Sequence, residues 1–166
     1  MTNKESLLQL IEKAASKFNL DPCLVEAIVK KESSYITKLM RYEAAWSYFY
    51  DIKRFSKPNL ITDRTEQELQ KFSFGLMQVM GSVAREDGHS GQLVDLLIPE
   101  TGLNYGCMQL KQFVTKYPNI QDAISSYNQG SPRKNYVGKY QNQAYVDDVM
   151  KTWGDLSKER LQRKDG

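Results

Sequence analysis

The stretch that indicates the fold most clearly is residues 21–35, DPCLVEAIVKKESSY. Its opening Asp-Pro pair is typical of a helix start, because aspartate accepts backbone N–H bonds and the fixed φ of proline suits the first turn. The apolar residues that follow recur at helical spacing. On a helical wheel, Glu32 falls between Ile28 and Val25, in the middle of the apolar face. The stretch therefore predicts a buried helix with a carboxylate on its buried side.

The segments on either side repeat this helical pattern, and no alternating strand pattern of useful length is present. The predicted helices start at a capping box Thr2-x-x-Glu5, at Asp21, at a second capping box Thr65-x-x-Glu68, after Gly75, at Pro99, near Ile120 and before Val146. Residues 128–141 have the polar composition of a long loop, and residues 157–166 that of a charged tail. The sequence predicts one all-α domain, residues 1–156, followed by that tail.

The composition of the 166-residue chain excludes several kinds of site. One histidine, His89, and two cysteines cannot form a zinc finger, a His-rich metal site or a CxxC redox pair. Any Ser-His-Asp or Cys-His mechanism would have to use His89, whose neighbours indicate a turn. Cys23 and Cys107 fall on apolar helix faces, which favours two buried thiols over a disulfide. We expect no metal and no cofactor, so carboxylates are the best candidates for catalysis.

The net charge of +3 is mildly basic, which is usual for a solvated surface but also fits an acidic polymer as partner. Three basic residues of the long loop, Arg133, Lys134 and Lys139, are too few for a nucleic-acid interface, so we expect no nucleic-acid partner. The N-terminus has no apolar run of signal-peptide length, and no stretch approaches the roughly 18 apolar residues of a membrane span. The sequence therefore predicts a soluble, monomeric protein without a transmembrane segment, made in the cytoplasm without its own export signal.

Two carboxylates are candidates for proton transfer. Desolvation of Glu32 on an apolar face and the negative end of its helix dipole both raise a carboxyl pKa, as a general acid requires. The alternatives are that Glu32 is paired with Lys31, Arg41 or another base, or that the helix ends earlier and leaves it exposed. Glu43 is the second candidate, since paired carboxylates carry glycoside chemistry, and its alternative is an ion pair with Arg41 or a nearby lysine.

Two further segments carry amides and aromatic rings. Residues 75–78, Gly-Leu-Met-Gln, place a glycine at a predicted helix start and present a neutral amide. Residues 126–130, Ser-Tyr-Asn-Gln-Gly, end a helix with Tyr127 and Asn128, and the loop behind them adds Tyr136. Such groups suit a neutral ligand rich in hydroxyl and acetamide groups. The alternatives are a helix cap at Asn128 and a core tyrosine at Tyr127.

Taken in chain order, these pieces resemble the soluble lytic transglycosylase (SLT) domain, a relative of goose-type lysozyme. The resemblance spans residues 20 to about 150. The Arg-Tyr-Glu variant and the absence of a signal peptide are most similar to phage- or prophage-encoded members of the family. The stretches that carry it are Leu20-Asp21-Pro22 leading to Lys31-Glu32-Ser33-Ser34-Tyr35, Arg41-Tyr42-Glu43, Gly75-Leu76-Met77-Gln78-Val79-Met80, Ile98 to Gly106, and Ser126-Tyr127-Asn128-Gln129-Gly130.

The resemblance implies a lysozyme-like, two-lobed helical fold with a central glycan cleft, and peptidoglycan as the substrate. It implies that Glu32 protonates the bond between N-acetylmuramic acid and N-acetylglucosamine and then acts as a base, so that a 1,6-anhydro ring forms. An enzyme of this kind would act on the bacterial cell wall, associated with a phage or released by lysis. We expect Tyr127, Glu43 and Ser33 to support catalysis and Gly75, Met77, Gln78, Asn128 and Tyr136 to bind substrate.

Two alternatives stay open at this level. If Glu43 reaches the cleft it could hold a water molecule, as extra acids do in goose-type lysozyme, and the enzyme would be a hydrolytic muramidase. The chain could also be a non-catalytic wall-binding or virion-structural module. One departure from the family pattern is Gln129, which stands where the resemblance leads us to expect alanine and adds bulk.

Overall fold

The computed structural model describes residues 4–163 and confirms a mainly helical protein. Within that range it contains eight α-helices, one short 3-10 helix and a small three-stranded sheet. The helices are α1 (Lys4–Lys17), α2 (Pro22–Ser33), α3 (Ile52–Ser56), α4 (Asp63–Leu69), α5 (Gly81–Glu86), the 3-10 helix (Leu93–Leu97), α6 (Pro99–Lys116), α7 (Ile120–Gln129) and α8 (Gln143–Gln162). The strands are β1 (Met40–Tyr42), β2 (Phe72–Phe74) and β3 (Val79–Met80).

The chain forms two compact units. The central unit is Glu32–Gly106, and the terminal unit consists of the residues up to Lys31 together with those from Cys107 onward. The boundaries fall inside α2 and inside α6. None of the helices described between residues 4 and 163 is long and apolar enough to cross a lipid bilayer.

The helix starts and stops in the terminal unit follow the local signals of the sequence. Asp21 Oδ1 accepts a hydrogen bond from Cys23 N at 2.8 Å, so α2 begins at Pro22 behind an aspartate cap, as predicted. Asn19 has a φ of +50° and follows the end of α1, which is a conformation that asparagine tolerates better than most residues. The predicted cap at Thr2 lies outside the described residues.

The C-terminal helix extends further than its sequence suggests. α8 continues to Gln162, so residues 157–162, which have the composition of a charged tail, are helical. Within this segment, the Arg160 guanidinium forms an ion pair with Glu12 of α1. The helix propensity of these residues favours the helical form, and the ion pair connects the segment to α1 of the same unit.

Both cysteines are buried and free, as predicted. Burial raises the pKa of the Cys107 thiol to about 12. Burial also raises the pKa of Cys23, although its hydrogen bond to Ser157 and the positive charge of Arg160 act in the opposite direction. Neither thiol is ionised near neutral pH, and thiolate chemistry requires the ionised form.

In the central unit the prediction of a helix starting after Gly75 is wrong. Residues 75–80 form a tight turn and strand β3, and α5 begins only at Gly81. The reason is backbone conformation, since Gly75 and Gln78 have φ values of +67° and +48°, which no α-helix contains. The apolar spacing that suggested a helix arises because Leu76, Met77 and Val79 are all buried around the turn.

The small sheet was not predicted, and the cap of one helix lies elsewhere than expected. β1 and β3 flank β2, both antiparallel to it, with Arg41 opposite Ser73. Its strands have two or three residues each, too few to show an alternating pattern. The predicted short helix exists as α4, but its N-cap is Thr62, whose side chain accepts a hydrogen bond from Thr65 N.

A buried ion pair joins two helices of the central unit. Glu66 of α4 and Arg85 of α5 have fully buried side chains, and both carboxylate oxygens accept from the guanidinium, at 2.7 and 2.9 Å. Arg85 also donates to the carbonyl oxygens of His89 and Gly91, and Gln70 Nε2 donates to Glu66. A charge pair without water is tolerated only when its remaining hydrogen-bonding positions are satisfied in this way.

Removing the guanidinium by Arg85→Met should lower the free energy of unfolding by about 3–5 kcal/mol, because it leaves the Glu66 carboxylate buried without its counter-charge. Urea denaturation followed by circular dichroism measures the change. Arg64→Met removes a surface ion pair with Glu68 in the same unit and should have little effect. The double variant Glu66→Leu/Arg85→Met should recover part of the loss. An Arg85→Met protein as stable as the parent would contradict the assignment.

Candidate active site

Glu32 is the residue before the last of α2, and its side chain is only 10% exposed. The apolar residues of the same helix are all buried, so the predicted wheel position of Glu32 on the buried face agrees with the structure. Ser34 and Tyr35, with φ values of +50° and +65°, end the helix directly behind it. A carboxylate thus stands at the C-terminal end of a buried helix, largely withdrawn from water.

Arg41 of β1 is the base paired with Glu32. Its Nη2 lies 3.5 Å from Glu32 Oε2 and donates to the backbone oxygen of Glu32 at 3.2 Å. Lys31, the other base considered from the sequence, pairs instead with Asp148. The guanidinium favours the ionised carboxylate and burial disfavours it, so the two effects oppose each other. The Arg41 side chain is itself half exposed, at 53%, so solvent screening weakens its electrostatic attraction to the Glu32 carboxylate.

Gln78 holds Arg41 in place. Its Oε1 accepts from Arg41 Nε at 3.1 Å and from Ser73 Oγ at 2.9 Å. Its Nε2 donates to the backbone oxygens of Leu39 at 3.1 Å and Gly75 at 2.7 Å. An amide offers two acceptor and two donor positions, and all four are used inside the unit. Gln78 therefore supports the arginine that faces Glu32, and its expected contact with substrate stays a prediction.

Gly75 is required by the geometry of its turn. It has a positive φ, and a Cβ at this position would lie 2.5 Å from the backbone oxygen of Leu96. Next to it, Ser33 Oγ donates to the backbone oxygen of Leu76 at 2.8 Å, which ties the end of α2 to the turn. Met77 is fully buried and packs so closely on Gly106 that a Cβ there would lie 2.5 Å from its sulfur. These residues fix the turn beside Glu32.

Glu43 follows β1 and continues its pairing, because Glu43 N donates to the oxygen of Lys71 at 2.9 Å. Residues two apart in a strand point to the same face, so Glu43 shares the face of Arg41, which contacts Glu32. The ion pair considered from the sequence is not formed: within residues 4–163, no cationic nitrogen lies within 4.0 Å of the Glu43 carboxylate. Glu43 is partly exposed to solvent.

The other candidate residues belong to the terminal unit. Tyr127 and Asn128 lie in the last turns of α7, where Tyr127 is buried with 8% exposure. Asn128 Oδ1 accepts from Asn142 Nδ2 at 2.9 Å, so its side chain is tied to the start of α8. The Gln129 amide donates to Ser125 Oγ at 3.1 Å, one turn earlier in the helix. Tyr136, in the loop between α7 and α8, is fully exposed.

Sequence reasoning missed the roles of Arg41, Ser73 and Leu39. Arg41 appeared there only as one possible ion-pair partner of Glu32 or of Glu43, although it stands in the Arg-Tyr-Glu stretch that carries part of the family likeness. Ser73 and the Leu39 carbonyl gave no signal, because their part in the site depends on the pairing of β1 with β2.

A known protein family matches most of the chain. The family model of the Transglycosylase SLT domain matches residues 9–149, most of the chain. The chain belongs to this family. No solved structure was found that matches it. Membership of the SLT family indicates peptidoglycan as the substrate and glycan cleavage of the lytic transglycosylase type as the activity.

Replacing Arg41 tests its role beside Glu32 in this SLT domain. Arg41→Met removes the contacts to Glu32 and to Gln78, and misplacing a reacting group costs up to about a hundredfold in rate. We expect kcat on purified peptidoglycan to fall by roughly ten- to a hundredfold, with a smaller change in KM. Arg41→Lys keeps the charge but not both contacts, and should give an intermediate kcat.

The control is Arg54→Met, which removes an exposed arginine of α3 in the same unit. It should leave kcat unchanged. Full activity in folded Arg41→Met would show that Glu32 does not depend on the guanidinium.

Proposed function

We propose that this SLT domain cleaves the β-1,4 bond between N-acetylmuramic acid and N-acetylglucosamine and leaves a 1,6-anhydromuramoyl end, with Glu32 as general acid and then general base. The observation that carries the proposal is the largely buried carboxylate of Glu32 at the end of α2, which is 10% exposed and paired with the Arg41 guanidinium. The family match supplies the substrate class.

In the proposed reaction one carboxyl group makes both proton transfers. Protonated Glu32 donates to the glycosidic oxygen as the bond from that oxygen to the anomeric carbon breaks, and the N-acetylglucosamine side leaves with a hydroxyl. The Glu32 carboxylate then takes the proton of the muramoyl 6-hydroxyl, whose oxygen bonds to the anomeric carbon. Glu32 ends protonated, as it began, and no water is consumed. A second carboxylate to activate water is therefore unnecessary, in contrast to the two-carboxylate scheme of most glycosidases.

The central unit supports this double role through the balance around Glu32. Burial favours the acid form needed for the first transfer, and Arg41 favours the carboxylate needed for the second. Gln78, itself bonded to the turn at Gly75, fixes the position of the Arg41 side chain through the hydrogen bond from Arg41 Nε. From the family resemblance we propose that Tyr127 supports catalysis and that Asn128 binds the glycan.

Glu32→Gln removes the acidic carboxyl proton and leaves the size of the side chain almost unchanged. Turnover of purified peptidoglycan should therefore fall below detection while folding and glycan binding persist. The decrease in turbidity of a wall suspension measures turnover, and co-sedimentation with the wall measures binding. The matched control is Glu100→Gln, an exposed glutamate of the central unit, which should clear walls at the parent's rate. Wall clearing by Glu32→Gln at more than a few per cent of the parent's rate would refute the role of Glu32. A parent protein that binds walls without dissolving them would favour a non-catalytic module.

Hydrolysis is the second candidate, and Glu43 is the observation that favours it. Its carboxylate has no cationic partner in the described part of the chain and shares the strand face of Arg41. A carboxylate in such a position can accept a proton from water, which would then attack the anomeric carbon in place of the 6-hydroxyl.

The masses of the products separate the two outcomes. Transglycosylation gives muropeptides that are one water lighter than the reducing-end products of hydrolysis, because the 6-hydroxyl replaces water as the nucleophile. We expect anhydro products from the parent and an unchanged product ratio from Glu43→Gln. Reducing ends alone would contradict the transglycosylase proposal, and a reducing-end fraction that disappears in Glu43→Gln would assign the water to Glu43.

A further inference from the structure

The loop between α7 and α8 is a hairpin with a defined shape. Lys134 and Tyr140 form an antiparallel bridge, and Asn135 N donates to the oxygen of Lys139 at 2.9 Å. Gln141 N donates to the oxygen of Arg133, also at 2.9 Å. Residues 131–141, called the basic hairpin below, therefore have a paired backbone where the sequence indicated only an irregular polar loop.

The tip of the basic hairpin is held by its own hydrogen bonds. Asn135 Oδ1 accepts from the backbone nitrogens of Val137 and Lys139, at 3.1 and 3.0 Å. Gly138 has a φ of +79° and donates to the backbone oxygen of Asn135, which closes the turn. A tip tied in this way loses little conformational freedom when it binds a partner.

The base of the hairpin is anchored to α7 through Asp122. Both Lys134 Nζ and the Tyr140 hydroxyl donate to Asp122 Oδ1, at 2.7 and 2.5 Å. Burial alone would raise the pKa of Asp122, but these two donors outweigh it and hold that pKa below its ordinary value. The anchor is therefore complete at neutral pH and is lost only as the pH falls through the lowered value.

This rigid element presents apolar groups and unpaired cations to solvent. Tyr136 is 100% exposed and Val137 67% exposed, both at the tip. Residues 131–142 contain no acidic side chain. Asp122 forms its ion pair with Lys134. Within residues 4–163, no carboxylate oxygen lies within 4.0 Å of a side-chain nitrogen of Arg133 or Lys139. A fully exposed aromatic ring beside free cations is a feature of binding surfaces rather than of ordinary loops.

We infer that the basic hairpin is an accessory site of the terminal unit that binds a peptidoglycan strand, with Tyr136 against the apolar face of a sugar ring and Arg133 and Lys139 against carboxylates of the peptide stems. The choice of polymer rests on the proposed function. Charge complementarity supports it, because the stems are anionic and the hairpin is purely basic. An anchor for a lipid surface would need a broad apolar face, whereas the tip offers two apolar side chains.

An accessory site of this kind matters for an insoluble polymer. Binding at a second point keeps the enzyme next to the strand after each cleavage, so the next bond is presented at a high effective concentration. The hairpin would thus raise the enzyme's residence time on the wall.

The test measures binding in the full-length Glu32→Gln protein, so that the wall is not digested during the experiment. Co-sedimentation with purified insoluble peptidoglycan gives the affinity. Adding Tyr136→Ala should weaken binding roughly three- to tenfold, as expected for one lost aromatic contact. Tyr136→Trp should keep the affinity of the Glu32→Gln parent. Arg133→Gln with Lys139→Gln should weaken binding at low salt and make it less sensitive to added salt.

The matched control is Leu60→Ala, which removes a side chain that is 94% exposed in the central unit and should not change binding. Because Tyr136 is fully exposed, all variants should keep the parent's circular dichroism spectrum. Equal wall binding by Tyr136→Ala and its parent would overturn the inference. The inference would also be overturned if the parent protein bound anionic phospholipid vesicles and the hairpin variants bound the wall as tightly as the parent.

The outcomes also separate this inference from the proposed function. Wall clearing by Glu32→Gln, together with weaker binding by Tyr136→Ala, would contradict the role of Glu32 and support the accessory site. An inactive Glu32→Gln protein whose wall binding is insensitive to Tyr136→Ala would give the reverse result.

Discussion

The arrangement around Glu32 depends on one amide, that of Gln78. Its two donor and two acceptor positions join the carbonyl before β1, the arginine of β1, a serine of β2 and the glycine of the following turn. Each bond alone contributes about 1 kcal/mol, but a buried network that lost one member would leave the other groups without partners. Gln78 itself adopts a φ of +48°, so the backbone accepts strain to aim the amide inward. Arg41 can face Glu32 because this amide fixes its Nε.

The two polar networks of the central unit serve different ends. Glu66 and Arg85 have no exposed surface and satisfy one another almost completely, which suits a pair whose role is to join α4 to α5. Glu32 and Arg41 are separated by 3.5 Å and the arginine is half exposed, so this ion pair is weaker. A strong ion pair and a weaker one thus occur within one small unit, and their difference follows from burial and distance.

The parts of the fold that the sequence predicted are those determined by neighbours along the chain. The start of α2 at Pro22 and the burial of Glu32 follow from a cap and a helical period within twelve residues. The turn at Gly75 and the support of Arg41 by Gln78 could not be predicted, because they depend on the pairing of β1 with β2 across about thirty intervening residues. The segments of the basic hairpin pair locally, at Lys134 and Tyr140, but each is too short to show an alternating pattern, so the sequence indicated only a loop. The sequence could identify the carboxylate but not the contacts that hold it.

The two buried thiols have a consequence for where the chain can exist intact. Cys23 and Cys107 are free, and burial raises the pKa of both, that of Cys107 to about 12. Neither folding nor packing requires an oxidant, since no disulfide closes any part of the fold, and neither thiol offers a thiolate for oxidation or exchange. Both thiols can therefore persist unchanged in reducing and in oxidising surroundings.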